Sequence, residues 1–410
     1  MAGSVKRVAL VSMHTSPAEQ AGTGDAGGLN VSLMSTATEL ASRGVEVDLL
    51  TRASSVPRTT QVGDGVLLRE LAAGPAGPLG KAELAGIADE FGEAVATVAG
   101  RPGSRYDLIH AHYWLSGLAT LPVAIELGVP LVQSFHTLGA MKNAHLAPGQ
   151  EAEPPGRLLA ERYLANQASA VVASSTSEVT SLIDQVGAPA DRIWVIPPGV
   201  DVDLFRPNRG GAAERVRERF GIEPGRPIVA VVGRVQPLKD QELGVRALGA
   251  LNTLRGWAPV LVIAGESTPG DEAYLASLRM LAADLGVGDE VRFAGALGRD
   301  DLADLLAVAS ITLVPSHSET FGLVALESAA SGTAVIGYRG TGMLESIAEG
   351  RSGLLVDSRE PDAWARAMVA LLDDPGARSR MAETAREHAL GYTWAATATA
   401  LLGVYSSLVT

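Results

Sequence analysis

The 410-residue sequence contains no cysteine. This absence excludes disulfide bonds, thiolate zinc sites, iron–sulfur clusters and a cysteine nucleophile. Long apolar runs are also missing, because no stretch approaches the roughly 18 residues of a membrane-spanning helix, and the apolar segment 7–13 lacks the pattern of a signal peptide. We therefore expect a cytoplasmic protein with no membrane association, whose chemistry depends on other side chains.

Basic residues are outnumbered, with 33 Lys and Arg against 46 Asp and Glu and a formal net charge of −13. Such a charge repels nucleic acid and anionic membranes, so we expect neither as a partner. The chain is too long for one ordinary domain of about 100–200 residues, and two domains are the natural expectation. Its 47% hydrophobic and 19% charged residues are typical of a chain that buries a sizeable core.

Short β-branched segments alternate with longer helical patterns along nearly the whole chain, which predicts an α/β fold with parallel sheets. A proline-dense segment, 197–207, separates two such series and predicts two doubly wound domains, 1–200 and 201–390. The pattern of residues 391–410 predicts a helix that returns to the first domain. The predicted strands are 7–13, 46–51, 107–111, 131–136, 170–174, 193–196, 228–233, 260–265, 291–294, 311–315 and 335–337, and the clearest predicted helices are 29–43, 361–372, 381–388 and 393–408.

A glycine-rich loop, residues 22–28, joins the first predicted strand to the first predicted helix and contains the pattern GxGxxG. The dinucleotide-binding fingerprint places its first glycine directly after the strand and an acid about 20 residues later. Here eight residues intervene, and Asp48 falls inside the second predicted strand. We interpret the loop as a helix N-terminus whose N–H groups can approach a phosphate or a sugar hydroxyl. A nicotinamide-dependent oxidoreductase and a flexible surface loop are the alternatives.

Two strand-to-helix turns in the second half carry paired charges. Arg234 and Lys239 lie five positions apart after a predicted strand, where both can reach one pyrophosphate. Glu319 and Glu327 flank the start of a later helix, and their spacing of eight keeps them on one helical face. Solvated charge or helix capping explains each residue alone, but not both motifs together.

These two motifs together resemble the donor signature of the retaining glycosyltransferases of family GT4, which have the GT-B fold. The resemblance implies that Arg234 and Lys239 bind the donor diphosphate, that Glu327 holds the ribose hydroxyls and that Glu319 lies near the donor sugar. It makes domain 1–200 the acceptor domain and 201–390 the nucleotide-sugar domain, facing a central cleft. The implied catalytic residues are His136, Glu319, Arg234 and Lys239, and the implied donor-binding residues are Gly28, Arg234, Lys239, Glu319, Phe321, Gly322, Leu323 and Glu327.

The resemblance extends over nearly the whole chain to a branch of this family that transfers N-acetylglucosamine from UDP to inositol 3-phosphate in mycothiol biosynthesis. It is carried by segments 12–17, 22–31, 112–117, 136–137 and 142–143. It implies that two cations and two hydroxyls grip the acceptor phosphate, a suitable combination for an anion in an acidic protein. The implied acceptor-binding residues are His14, Asp25, Asn30, Lys81, Tyr113, Thr137 and Arg157.

The resemblance further implies a UDP- or GDP-linked donor as a substrate, no cofactor, no essential metal and a possible homodimer. His110 and His112 share one strand face, but no third metal ligand is apparent, so we expect them to be structural.

Glu266 and Thr341 stand where the family has glycines, and segment 149–155 also departs from its pattern. These departures leave open a paralogue from antibiotic biosynthesis that joins a GDP-linked sugar to a small thiol such as ergothioneine. A non-catalytic sugar- or nucleotide-binding protein is a further alternative.

Overall fold

The computed structural model describes residues 5–101, 103, 105–268, 270–340 and 342–409, so Thr341 lies outside the described residues. The strands are β1 Arg7–Val11, β2 Glu46–Arg52, β3 Arg58–Gly63, β4 Val66–Leu71, β5 Leu108–His112, β6 Leu131–Ser134, β7 Ala170–Ala173, β8 Ile193–Val195, β9 Ile228–Val232, β10 Val260–Ala264, β11 Val291–Gly295, β12 Ile311–Val314, β13 Ala334–Tyr338 and β14 Gly353–Val356. The helices of the first half are α1 Gly28–Ala41, α2 Lys81–Gly86, α3 Ala88–Ala99, α4 Trp114–Leu127, α5 Gly139–Ala144, α6 Pro155–Gln167 and α7 Thr176–Ser181. Those of the second half are α8 Ala212–Phe220, α9 Gln241–Arg255, α10 Glu272–Asp284, α11 Arg299–Val308, α12 Leu323–Ala330, α13 Met343–Ser346, α14 Pro361–Leu372, α15 Pro375–Leu390 and α16 Trp394–Leu408.

The strands form two separate sheets. In the described part of the chain, the first has eight strands in the order β3-β4-β2-β1-β5-β6-β7-β8, and the second has six in the order β11-β10-β9-β12-β13-β14. Every pairing between these described strands is parallel except that of β3 with β4. The predicted α/β fold with two doubly wound, Rossmann-like units is therefore confirmed.

In each sheet the strand order reverses at one point, between β1 and β5 in the first sheet and between β9 and β12 in the second. Ligands of open parallel sheets bind beyond the carboxyl ends of the strands at such points. The loops that follow these four strands are the ones that carry the sequence motifs. The topology alone thus directs the glycine loop and the charged turns toward one region of each sheet.

Three of the described strands were not predicted from the sequence: β3, β4 and β14. All residues of β3 are exposed or half-buried, so it lacks the apolar pattern on which the prediction relied. The strand β14 is only four residues long. The segment predicted as 131–136 instead ends at Ser134, because His136 has a φ of 60° and cannot continue an extended strand.

The C-terminal helix α16 packs beside α1 on the first sheet. Its Leu401, Val404 and Tyr405 are buried in the same apolar cluster as Leu33 and Leu40 of α1. Thr393 caps the helix by accepting a hydrogen bond from the N–H of Ala396. Among the described residues, no helix is both long enough and apolar enough to cross a membrane.

The chain passes between the two sheets twice, at residues 197–200 and 392–394, and the two crossings lie side by side. The N–H of Val200 donates a hydrogen bond to the carbonyl of Tyr392 at 2.9 Å. The hydroxyl of Thr397 donates to the carbonyl of Pro197 at 2.8 Å. Any rotation of one unit against the other must act through this pair of crossings.

Gly199 is required by the close approach of these crossings, since a Cβ atom there would overlap the backbone of Trp394. We expect Gly199→Ala to reduce the free energy of unfolding by about 1–3 kcal/mol, the usual effect of overpacking. The matched control is Gly403→Ala, because Gly403 is exposed in α16 and no atom of the described residues lies within 4 Å of its Cβ position. That control should stabilise the protein by about 0.5–1 kcal/mol. Equal midpoints of thermal unfolding for the two variants would contradict the requirement for glycine at position 199.

Candidate functional site

A cleft of about 1270 Å³ lies between the carboxyl edges of the two sheets. It brings together every residue that the sequence singled out for donor, acceptor or catalytic roles. These residues are His14, Asp25, Gly28, Asn30, Lys81, Tyr113, His136, Thr137, Arg157, Arg234, Lys239, Glu319, Phe321, Gly322, Leu323 and Glu327. Residues more than 300 positions apart thus share one cavity, which a sequence motif alone cannot establish.

The glycine loop is held in shape by Asn30 at the start of α1. The Asn30 side chain accepts a hydrogen bond from the N–H of Gly27 at 2.8 Å and donates to the hydroxyl of Thr15 and the carbonyl of Ser16. The side chain is buried, with 2% exposure, and its amide is engaged within the loop. Asn30 therefore shapes this wall of the cleft.

The same loop touches the second unit directly. A Cβ atom at Gly28 would lie 3.0 Å from the side chain of Leu323, at the start of α12. On the other side of the loop, the N–H of Glu266 donates a hydrogen bond to the carbonyl of Gly22 at 3.1 Å. Glu266, one of the departures from the family pattern, thus contributes its backbone to a contact across the cleft.

Asp25 bridges two cations that come from different sheets. One of its carboxylate oxygens lies 3.1 Å from Nζ of Lys81 and 2.9 Å from Nη1 of Arg234. Burial alone would raise the pKa of Asp25, but the two cations outweigh burial and hold the pKa below its ordinary value. In this state of the protein, Asp25 is the counter-ion of both cations.

Lys239 and Glu319 form a second ion pair, with 2.6 Å between Nζ and Oε1. The hydroxyl of Ser316 donates to the same carboxylate oxygen at 2.7 Å. The two loops that carry this pair are themselves joined, because the N–H of His317 donates to the carbonyl of Leu238 at 2.9 Å. This backbone hydrogen bond therefore holds the two loops side by side, and with them the ammonium and the carboxylate.

Glu327 faces the cleft from the second turn of α12 and is only 5% exposed. Burial raises its pKa, while Arg299, whose Nη1 lies 3.3 Å from the carboxylate, opposes that rise. Arg299 was not singled out from the sequence. Its guanidinium also lies over the ring of Phe205, 5.0 Å from the centroid, which holds it beside Glu327.

Arg157 is the most fully engaged cation of the cleft. Its guanidinium contacts Glu161 at 2.7 Å and Glu153 at 2.9 Å, and it donates to the carbonyl and hydroxyl of Thr137 at 2.9 and 3.1 Å. It also lies over the ring of Tyr113, 5.0 Å from the centroid. Burial raises the pKa of Tyr113 to about 12, so its hydroxyl remains protonated and can donate a hydrogen bond at neutral pH.

Lys142 and Glu153 also belong to this end of the cleft, although neither was assigned a role from the sequence. They form an ion pair, and burial lowers the pKa of Lys142 despite that pairing. One signal in the sequence could have identified Lys142. The chain has only four lysines, and three of them line the cleft: Lys81, Lys142 and Lys239.

The histidines lie at the ends of β5 and β6. His110 contacts the hydroxyls of Tyr405 at 2.6 Å and Ser134 at 2.9 Å, and His112 contacts His136 at 2.8 Å. Burial lowers the pKa of His110 to about 3 and that of His136 to about 4, so both are neutral at pH 7. The described residues contain no group of three side chains placed to hold a metal ion.

His14 lies against Tyr113 on the same side of the cleft, with 4.4 Å between the ring centroids. Burial lowers the pKa of His14 to about 3. A neutral ring packed at a tilt of 38° against an aromatic ring forms an amphipathic surface at the edge of the cavity. The structure thus places His14 beside the proposed acceptor residues.

The alternative of nicotinamide binding required a carboxylate that could hold a ribose. Asp48 lies within β2, is 2% exposed and accepts hydrogen bonds from Tyr106 at 2.6 Å, Arg7 at 2.9 Å and Arg69 at 3.0 Å. Its carboxylate is committed to the interior of the first unit. The glycine loop therefore lacks the acidic partner of the dinucleotide-binding fingerprint.

Two family models match the chain. Residues 27–199 match the glycosyl transferase 4-like domain, and residues 212–388 match the model of glycosyl transferases group 1. Among solved structures, sucrose-phosphate synthase from Thermosynechococcus elongatus superimposes with a TM-score of 0.89 at 28% identity over 98% of this chain and 99% of that one. HepE from Anabaena, crystallised with UDP and glucose, shares the fold with a TM-score of 0.78 at 21% identity over 99% of this chain and 100% of that one.

Curated relatives are more similar in sequence. The D-inositol 3-phosphate glycosyltransferase of Acidothermus cellulolyticus is 43% identical over 98% of this chain and 90% of its own length. The enzyme of the same name from Thermomonospora curvata is 41% identical over 98% of this chain and 95% of its own length. The chain is therefore an enzyme of the GT4 family of glycosyltransferases and has the GT-B fold.

Proposed function

We propose that the enzyme transfers N-acetylglucosamine from UDP to inositol 3-phosphate with retention of the sugar configuration. The observation that carries this proposal is that cations from both units line one cleft of a chain with a net charge of −13: Arg234 and Lys239 from the second unit, and Lys81 and Arg157 from the first. Such a set of cations suits two anions, the diphosphate of a nucleotide-sugar donor and the phosphate of an acceptor. The curated relatives are named for an inositol 3-phosphate acceptor.

The donor is proposed to bind along the second unit. Arg234 and Lys239 neutralise its diphosphate, aided by the N-terminus of α12, where N–H groups and the helix dipole favour an anion. Glu327 accepts hydrogen bonds from the ribose hydroxyls. Glu319 and His136 lie at the junction with the acceptor end, where the transferred sugar is expected.

The acceptor phosphate is proposed to bind between Lys81, Thr137 and the hydroxyl of Tyr113. Arg157 contributes a positive charge beside Thr137, and its ion pairs with Glu153 and Glu161 keep its guanidinium oriented. Lys142 adds a further positive charge beside Glu153. Because Asp25 holds Lys81 in this structure, we propose that the acceptor phosphate takes over that contact.

Transfer with retention requires no nucleophile from the protein. The acceptor hydroxyl oxygen bonds to the anomeric carbon on the face from which UDP departs, while the bond from that carbon to the diphosphate oxygen breaks. The leaving diphosphate accepts the hydroxyl proton. Arg234 and Lys239 stabilise the negative charge that develops on the diphosphate, which is the main contribution of the protein to the rate.

The chain crossings at 197–200 and 392–394 are proposed as the hinge between an acceptor domain, 1–200, and a nucleotide-sugar domain, 201–390. Closure over both substrates would exclude water and limit hydrolysis of the donor. Both substrates are charged metabolites, so we expect the enzyme to act in the cytoplasm. By resemblance to its family it would act as a homodimer.

The proposal is tested by incubating the purified enzyme with UDP-N-acetylglucosamine and inositol 3-phosphate and detecting the product by mass spectrometry. For Lys81→Ala we expect kcat/KM for inositol 3-phosphate to fall about 10- to 100-fold, since a hydrogen bond to a charged group contributes about 1.5–3 kcal/mol. The matched control is Lys6→Ala, which removes the one lysine that does not line the cleft and should leave activity unchanged.

Absence of product would contradict the proposed substrates. If a nucleotide still bound in that case, and its binding depended on Arg234, the donor site would stand and the acceptor would be a different molecule. A GDP-linked sugar with a small thiol acceptor is the pair to examine next. An equal loss in the Lys6 and Lys81 variants would contradict the acceptor site itself.

A further inference from the structure

A row of three histidine rings lies behind the cleft. The rings of His110 and His112 lie against each other on β5, with their planes tilted by 32° and 4.1 Å between their centroids, and His112 contacts His136 beyond β6. The His112–His136 contact joins Nδ1 of His112 to Nε2 of His136 at 2.8 Å. His136 lines the cleft, so with Nε2 facing His112, Nδ1 is the ring nitrogen left to meet a ligand.

Neither ring of this pair carries a charge at neutral pH. Burial lowers the pKa of His136 to about 4 and that of His112 well below its ordinary value. A neutral imidazole has one N–H and one bare nitrogen. The 2.8 Å contact therefore requires one ring to donate and the other to accept, and only two arrangements satisfy it.

The two arrangements differ in what they leave at Nε2 of His112, which is buried and has no hydrogen-bond partner among the described residues. If His136 donates, His112 must carry its proton on Nε2, and a buried N–H is left without an acceptor. If His112 donates, Nε2 is bare, and only a lone pair is left unpaired. Buried N–H groups without a partner are the rarer and costlier case, so the second arrangement is favoured.

We propose that His112 is a positioning residue that donates its Nδ1–H to His136 and so fixes His136 as the tautomer with its proton on Nδ1. The nitrogen that His136 presents to the cleft is then a hydrogen-bond donor. It suits an oxygen acceptor, such as a hydroxyl of the transferred sugar, and it cannot take a proton from the acceptor substrate. This last consequence rests on the proposed function, whereas the tautomer itself does not.

The tautomer can be measured directly by long-range ¹H–¹⁵N NMR on protein labelled at its seven histidines. Spectra of His112→Asn and His136→Asn assign the two rings. We expect His136 to be protonated at Nδ1 and bare at Nε2, the reverse of the preference of a free histidine side chain. Protonation of His136 at Nε2, or at both nitrogens, would overturn the inference whether or not the proposed substrates are correct.

A matched pair of variants tests the consequence for catalysis. Asparagine at position 112 keeps an N–H that can donate to His136, whereas leucine has nearly the same shape and cannot donate. With active substrates we expect His112→Asn to keep kcat within about threefold of the wild type. We expect His112→Leu to lose about tenfold or more, with less than a threefold change in the KM for the donor.

The control for general disturbance of the three histidine rings is His110→Asn, because His110 forms hydrogen bonds with the hydroxyls of Tyr405 and Ser134 and not with His136. That variant should lower the midpoint of thermal unfolding and leave the tautomer of His136 as it is. In His112→Leu the NMR signal of His136 should shift toward the Nε2-protonated form. Equal kcat values for the Asn and Leu variants, at matched folded fractions, would refute the positioning role.

Discussion

In the Arg234→Ala variant we expect kcat/KM for the nucleotide-sugar donor to fall by about 100- to 1000-fold, the usual loss when one preorganised donor to a developing oxyanion is removed. Arg234 follows β9 at the point where the strand order of the second sheet reverses. Its side chain is three-quarters buried, and its contact with Asp25 crosses the cleft. Steady-state kinetics with varied donor and saturating acceptor would measure the loss.

Two variants make this expectation specific. Arg219→Ala removes an exposed arginine whose partner, Asp301, lies 2.6 Å away on the surface, and such pairs contribute little. Its kinetics should match the wild type. Arg234→Lys keeps the charge but loses the planar fork that fits a diphosphate, so it should recover only part of the activity. Full activity in Arg234→Ala would remove this residue from the donor site.

The α/β fold and the positions of the motifs could be predicted because they depend on local patterns. Apolar segments such as β9 and β10 are buried on both faces and read as continuous runs, whereas the exposed residues of β3 give no such signal. The charged turns were recognised because they directly follow strands. Their convergence in one cleft follows from the carboxyl ends of parallel strands lying at one edge of each sheet.

The pairing of side chains within the cleft could not be predicted in this way. The bridge from Asp25 to Lys81 and Arg234 joins the glycine loop, the first residue of α2 and a loop that belongs to the other sheet. The contact of His112 with His136 depends on the register of β5 against β6 and on the positive φ of His136. Such contacts are set by tertiary geometry, and no spacing along the chain encodes them.

A common rule relates these pairs. The cations of the described cleft that we assign to substrate phosphates are each held by a carboxylate: Lys81 and Arg234 by Asp25, Lys239 by Glu319, and Lys142 and Arg157 by Glu153. A cation in a partly buried site requires a counter-ion when no substrate is bound. Binding of a phosphate would then replace one anion by another. An acidic protein can therefore build sites for anionic substrates without leaving clustered positive charge unpaired.

This rule makes the pair Lys239–Glu319 the most informative to disrupt. In Lys239→Ala we expect kcat/KM for the donor to fall about 100- to 1000-fold, because a cation that stabilises the leaving diphosphate is lost. The loss has a second cause: the carboxylate of Glu319, 2.6 Å from Nζ of Lys239 in the wild type, would then face the diphosphate without that counter-ion. Lys239→Arg should not restore the wild-type rate, since the guanidinium cannot take the place of a compact ammonium.

The double variant Lys239→Ala/Glu319→Gln separates these two causes. If the negative charge of Glu319 contributes to the loss once Lys239 is removed, the double variant should be more active than the sum of the two single losses predicts. For directly contacting charges we expect a coupling of about 0.5–3 kcal/mol, or roughly 2- to 150-fold in kcat/KM. Strict additivity would mean that Glu319 acts on the sugar independently of Lys239. In that case the ion pair would be a feature of the empty cleft alone, and the rule of paired counter-ions would not extend to the reacting complex.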